Sequence, residues 1–291
     1  MQTVLEIDAA RIFYDGILDE PRLDHPEGLA VHRDGSVWCG GERGQVYRIE
    51  ADGGSIEQIA QAEDGFSHGM AFDADDNLYV CDLKHAAVMK LDTDTGSLQT
   101  FAEGANGRAI SICNYPAFDD EGRLYVSDSH AFKVPGPGIF RFDPDGSGEL
   151  WYDEPINFAN GLAFPPDGDH LYVAETFGRA IFRIHIEEDG SAGAREEVAR
   201  LPGVLPDGLA FDAAGNLYVA CYEPSQVLRV APNGAVVRLI WDEEAHLFCH
   251  PTNLAFRGNV LFTTNLGRWH ITAIDTEAEG LPLYGGYGSE R

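Results

Sequence analysis

The feature that most restricts the fold of this chain is a phrase that it repeats six times, as "PEGLAV", "SHGMAF", "NYPAF", "NGLAF", "PDGLAF" and "PTNLAF". Aligned on this phrase, one polar position falls at Glu27, His68, Asn114, Asn160, Asp207 and Thr252, at intervals of 41, 46, 46, 47 and 45 residues. The apolar letters hardly vary, whereas the polar letter takes five identities in six copies. Self-similarity at this period marks an array of supersecondary units, each burying its apolar face against the next.

Each unit has the same internal grammar. A short apolar run meets a turn such as "RDGS", "ADDN", "DEGR", "PDGD" or "AAGN". A β-favouring run follows ("VWCGG", "LYVCD", "LYVSD", "LYVAE", "LYVAC", "LFTTN"), then a third such as "QVYRIEA" or "GIFRFDP". A second turn and a fourth run, such as "GSLQTFAE" or "GAVVRLI", complete the unit. Period-two alternation between Gly/Asp/Asn turn clusters means antiparallel strands joined by hairpins. Four such strands in about 45 residues are a propeller blade. The expected fold is therefore all-β: a six-bladed β-propeller with four-stranded antiparallel blades, forming one domain over residues 1–291. The blades begin near His25, Phe66, Ile112, Phe158, Leu205 and His250. The leftover N-terminal run "TVLEIDAARIFY" can supply the outer strand of the last blade, closing the ring and covering an exposed edge. A parallel β-helix would need shorter repeats without hairpin turns.

Composition narrows the function classes. The formal charge of −28 repels a phosphate backbone, so nucleic acid is excluded as a partner. Only Lys84, Lys90 and Lys133 occur among lysines, and such an acidic surface suits a high-salt environment as well as simple solubility. No run of eighteen apolar residues exists, and the N-terminus lacks the basic and apolar regions of a signal peptide, so a cytoplasmic location without membrane attachment is the expectation. The five cysteines (Cys39, Cys81, Cys113, Cys221, Cys249) have no C-x-x-C spacing, and the four in or beside predicted strands read as small buried hydrophobes.

In a propeller the first strand of each blade lines the axis, so the six polar positions form a ring. Glu27, Asn114, Asn160 and Asp207 offer side-chain oxygens that suit a hard cation, calcium above Zn2+, Mn2+ or Mg2+. Asn or Asp before Gly is by itself a common turn former, but Glu27 is not, and four oxygen donors share one symmetry-equivalent position. Other catalytic signatures are missing: there is no G-x-S-x-G elbow, no G-x-G-x-x-G after a strand, and His246 and His250 are four apart on a loop rather than a helix.

"HPEGLAV", "NYPAFDDEGRLYVSD", "ANGLAFPPDGDHLYVAET", "LPDGLAFDAAGNLYVA" and "HPTNLAF" resemble the SMP-30/gluconolactonase/luciferin-regenerating-enzyme-like family over roughly residues 15 to 285. The resemblance implies one divalent metal, usually calcium, held by Glu27, Asn160 and Asp207, with Asn114 a further ligand or a substrate-side partner. It implies hydrolysis of a sugar lactone or related cyclic ester, and the expected assembly is a monomer or homodimer. One departure stands out. Sugar-lactone members commonly carry Arg two residues before the third-blade Asn, where this chain has Ile112 in an apolar setting, which favours a less polar substrate unless Arg108 reaches in.

Asp207 is the candidate base, nucleophile or pure ligand, and His68 the candidate substrate-orienting or proton-shuttling group. Ile112, Asn114, His130 and His250 are candidate substrate contacts, and the Gly/Pro-rich loop 129–138 can shape the mouth. Rival readings are organophosphate or aryl ester hydrolysis on the same metal, a non-catalytic binding propeller, and a strictosidine-synthase-like enzyme.

Overall fold

The computed structural model describes residues 2–281. Six four-stranded antiparallel sheets follow one another along the chain. Their innermost strands are Leu29–Val31, Ser67–Phe72, Cys113–Phe118, Ala159–Ala163, Leu205–Phe211 and Pro251–Arg257. These are blades one to six of a β-propeller. A 3-10 turn at Ile7–Ala9 is the one helical element among the described residues, and no helix there is long and apolar enough to cross a membrane.

Burial grades from the axis outward. The inner strand Ser67–Phe72 is buried at every residue, whereas the outer strand Ile56–Gln61 only partly covers its isoleucines and leaves its glutamines and glutamate in water. The turn letters have a physical reason too. In "DAAGN" the Asp212 carboxylate accepts the amides of Ala214 and Asn216, while Gly215 adopts φ +79°, a left-handed conformation strained for other residues.

The hydrophobic core is divided into six clusters, one at each junction between neighbouring blades, including that between blades six and one. A recurrent aromatic pair explains much of the repeated lettering. The second-strand aromatic of one blade meets, edge-on, the Phe that ends the next inner strand: Trp38–Phe72, Tyr79–Phe118, Tyr125–Phe164, Tyr172–Phe211 and Tyr218–Phe256, with centroids 4.9–5.7 Å apart. Such pairs contribute about 0.5–1.5 kcal/mol each beyond area burial. At the sixth junction Val31 replaces the Phe, and Phe262 turns instead to Phe13, 4.9 Å away.

The ring closes as the sequence predicts. Strand Ala10–Asp15 pairs antiparallel with His270–Asp275 as the outer strand of blade six. The residues before it do something the sequence did not suggest. The amides of Val4 and Leu5 donate to the carbonyls of Arg238 and Leu239 at 3.0 and 2.8 Å, so the N-terminus also straps the edge of blade five.

Candidate active site

Glu27, His68, Asn114, Asn160, Asp207 and Thr252 are all buried at the start of the inner strands. Contacts run from blade to blade around them. His68 Nδ1 donates to the Cys113 carbonyl at 3.1 Å, and Thr252 Oγ1 donates to the Glu27 carbonyl at 2.8 Å, which joins blade six to blade one.

Four of the six are followed by glycine, at Gly28, Gly69, Gly161 and Gly208. A Cβ on Gly208 would lie 2.5 Å from the Thr252 carbonyl oxygen and 2.8 Å from Asn253 Cα. One on Gly69 would lie 2.9 Å from the Asn114 carbonyl oxygen. The glycines are thus the condition for neighbouring inner strands to approach this closely, a use of glycine independent of backbone twist. Blades three and six, opposite each other across the axis, carry Tyr115 and Asn253 instead. Both are buried: Tyr115 lies within electrostatic reach of Glu27 and Asp207, and Asn253 Nδ2 is 3.4 Å from Glu27 Oε2.

The two asparagines of the ring are aimed by the same device. Asn114 Nδ2 donates to Ser129 Oγ at 3.0 Å, and that hydroxyl donates to the Ala159 carbonyl at 2.7 Å. Asn160 Nδ2 donates to Thr176 Oγ1 at 3.1 Å, which donates to the Pro206 carbonyl at 2.8 Å. Each relay fixes which end of the amide points inward, the role outer partners play at metal sites. Ser129 and Thr176 were not singled out by sequence reasoning. The available signal was a hydroxyl directly after the strand-ending acid in "VSDS" and "VAET".

Asn160 Oδ1, Asp207 Oδ1 and Asn253 Oδ1 are buried acceptors with no hydrogen-bond donor. Burial, and then the nearby Asp207 carboxylate, push the Glu27 carboxyl well above its ordinary range. Burial raises Asp207 as well, with the Asn160 amide opposing. Two buried carboxylates with orphaned amide and carboxylate oxygens need a positive partner, and the donor set is that of a hard cation. The residues fit a divalent metal ion.

The other predicted residues divide. His68 is buried, and burial lowers its imidazole to about 4 despite the Cys113 carbonyl; in this neutral ring Nε2 is the acceptor. Ile112 sits half-buried two residues before Asn114, its amide held 2.8 Å from Asp128 Oδ1. His130 lies with φ +60° in a loop that is shorter than the sequence suggests, since strand Gly136–Phe142 takes up its last residues, and its ring lies against Gly136. His250 stacks on Tyr222 at 4.5 Å and donates from Nδ1 to the Tyr222 carbonyl at 3.0 Å. Arg108 is exposed on a two-stranded hairpin, Gly104–Ala105 with Arg108–Ala109.

The strand-ending acids are loop clamps rather than ring members: Asp128 accepts the amides of Ser111, Ile112 and His130. Asp24, His25 and Glu42 form a further group with metal-ligating atoms within 4.8 Å of one another. There, however, Asp24 Oδ2 already accepts from Arg43 Nε at 2.7 Å and His25 Nδ1 already donates to Leu266 O at 2.8 Å. The four cysteines in strands are buried, and burial raises the thiols of Cys39, Cys81 and Cys221.

Residues 27–265 match the family model described as "SMP-30/Gluconolactonase/LRE-like region". The 6-deoxy-6-sulfogluconolactonase of Pseudomonas putida is 28% identical over 230 residues, covering 78% of this chain and 76% of that protein. A gluconolactonase from Xanthomonas campestris superposes with a TM-score of 0.77 at 22% identity, covering 94% of this chain and 89% of its own. A calcium-binding regucalcin from Agrobacterium tumefaciens superposes equally well, with a TM-score of 0.77 at 18% identity over 98% and 99% of the two chains.

Proposed function

The chain belongs to the SMP-30/Gluconolactonase/LRE-like family, and on that premise we propose that it is a lactonase, a hydrolase that opens a small-molecule cyclic ester with the aid of one bound calcium ion. Relatives named as lactonases support the reaction class. The observation that carries the site assignment is the set of buried oxygens without donors, Asn160 Oδ1 and Asp207 Oδ1, beside the buried Glu27 carboxylate.

Glu27, Asn160 and Asp207 would hold the ion, with Asn114 as a fourth ligand or a substrate contact. Calcium accepts about six to eight oxygens, so such a set leaves positions open. When bound, the cation supplies Lewis-acid polarisation of the lactone carbonyl and offsets charge on its oxygen.

The chain's own residues do the rest. Asp207 takes the proton of the water that attacks the carbonyl carbon and returns it to the ring oxygen as the acyl C–O bond breaks. Burial raises this carboxyl in the ion-free chain, and a bound cation would offset that rise and keep it ionised to accept the proton. His68, locked through Nδ1 and kept neutral by burial, presents Nε2 as an acceptor to a donor on the substrate or its attacking water. The Ser129 and Thr176 relays hold Asn114 and Asn160 in place throughout.

The test is a panel of aldonolactones, alkyl lactones and aryl esters, run with calcium and with EDTA, alongside calorimetric calcium binding. Lactone hydrolysis that EDTA abolishes and calcium restores is expected. Asp207→Asn should lower kcat by about 10²–10⁴-fold. Glu27→Gln should weaken calcium binding measured without substrate. Wild-type behaviour of both variants, with activity and melting temperature indifferent to EDTA, would overturn the reading.

A further inference from the structure

The residues two positions before the ring form a collar of their own: His25, Phe66, Ile112, Phe158, Leu205 and His250, every one half-buried. Its two polar members belong to blades one and six, and its four apolar members to blades two to five. The collar is therefore polar over two adjacent blades and apolar over the other four.

The apolar side is built up further between blades three and four. Phe132, Phe158 and Phe177 pack edge-to-face, with centroids 4.8 Å apart for Phe132–Phe177, 5.0 Å for Phe158–Phe177 and 6.4 Å for Phe132–Phe158. Their attachment points are those of the ring itself. Phe158 precedes Asn160 by two residues, Phe177 directly follows Thr176, and Phe132 lies three residues after Ser129. Phe132 is 67% exposed, yet it is held by its two neighbours and by the Lys133 ammonium, 5.0 Å from its ring centre and 5.4 Å from that of Phe177. Val134, 50% exposed on the same loop, extends the patch, and a contiguous exposed apolar patch beside a site marks an interaction surface.

We propose that Phe132, Phe158 and Phe177, continued inward by Ile112, are a subsite for a hydrocarbon arm. The preferred substrate class is then a lactone bearing an alkyl or aryl substituent rather than a polyhydroxylated aldonolactone. This rests on the lactonase reading above. Three phenyl rings and a branched alkyl offer no hydrogen-bond partner of their own, and the neighbouring Lys133 ammonium already lies over the Phe132 and Phe177 faces, so most sugar hydroxyls placed there would lose water without replacement. Each methylene covered instead raises kcat/KM about fourfold, until the rings are spanned. The ester remains over Asn114 and Asn160, and the arm extends outward along the loop.

The experiment uses the full chain in calcium chloride, with γ-butyrolactone, γ-hexalactone, γ-nonalactone and gluconolactone. With about three to four of its five added carbons covered by the rings, the γ-nonalactone to γ-butyrolactone ratio of kcat/KM should reach about 100. Phe132→Ala and Phe177→Ala should each lower that ratio about tenfold through KM, and Phe132→Leu should restore most of it. Melting temperature verifies that each variant is folded. Gluconolactone used as well as or better than γ-nonalactone, or a ratio indifferent to Phe132→Ala in a folded variant, overturns the subsite while leaving the lactonase standing. No hydrolysis of any lactone, with or without calcium, overturns both.

Discussion

Replacing Gly208 by alanine tests whether the inner strands are as tightly nested as their geometry says. The new methyl would lie 2.5 Å from the Thr252 carbonyl oxygen and 2.8 Å from Asn253 Cα, backbone atoms that no rotamer change can move. Relief to ordinary contact near 3.4 Å requires blades five and six to part by about 0.6–0.9 Å. Overpacking of this kind costs about 1–3 kcal/mol. For a chain of this size that lowers the melting temperature by about 2–12 °C. The displaced residue next to Gly208 is Asp207, and a misplacement approaching 1 Å at a reacting group can lower kcat/KM about 100-fold. Gly203→Ala is the comparison: φ there is +78° and no atom lies within 4 Å of the new Cβ, so only backbone strain of about 1–2 kcal/mol is added. Differential scanning calorimetry and lactone kinetics on both variants decide the matter. If Gly208→Ala keeps wild-type kcat/KM, or loses no more of it than Gly203→Ala does, the nesting argument is wrong.

Three further outcomes follow from the same geometry. Thr176→Val removes the hydroxyl that aims the Asn160 amide, and calcium affinity by calorimetry should fall about 10–100-fold while the fold persists. At about 100 times its dissociation constant calcium should stabilise the wild type by about 2.7 kcal/mol, read as a rise in melting temperature that Glu27→Gln diminishes. The His68 imidazole titrates near 4 in the fold against 6.5 in the unfolded chain, so the unfolded state binds a proton first as pH falls. Its effect is therefore a loss of stability that begins near pH 6.5 and is complete below about 4, so His68→Asn should give a shallower decline of denaturation midpoint over that window.

Much of this was legible in the sequence because a propeller spells its geometry with a period. The repeat placed Glu27, His68, Asn114, Asn160, Asp207 and Thr252 at one structural position, and the strand grammar gave the blades and their closure by the N-terminal run. What the repeat did not carry is what departs from it or crosses it. The Ser129 and Thr176 hydroxyls meet the ring amides from fifteen or sixteen residues away, across a register shift at the start of each blade. Tyr115 and Asn253 become meaningful only once blades three and six are seen to face each other. The aromatic cluster joins a loop of blade three to two segments of blade four, so no single stretch announces it. The strap of Val4 and Leu5 on blade five is backbone pairing with no side-chain signature.

The two hydroxyl relays have a mechanical consequence. Each begins on a ring side chain of one blade and ends on the carbonyl just ahead of the ring residue of the next, so Asn114 leans on the footing of Asn160, and Asn160 on that of Asp207. Such an arrangement behaves as an arch: no voussoir can be withdrawn without unloading its neighbour. On the proposed assignment, an ion held by Asn160 and Asp207 would load blades three, four and five together through these relays, with Glu27 of blade one gripping it from outside the arc.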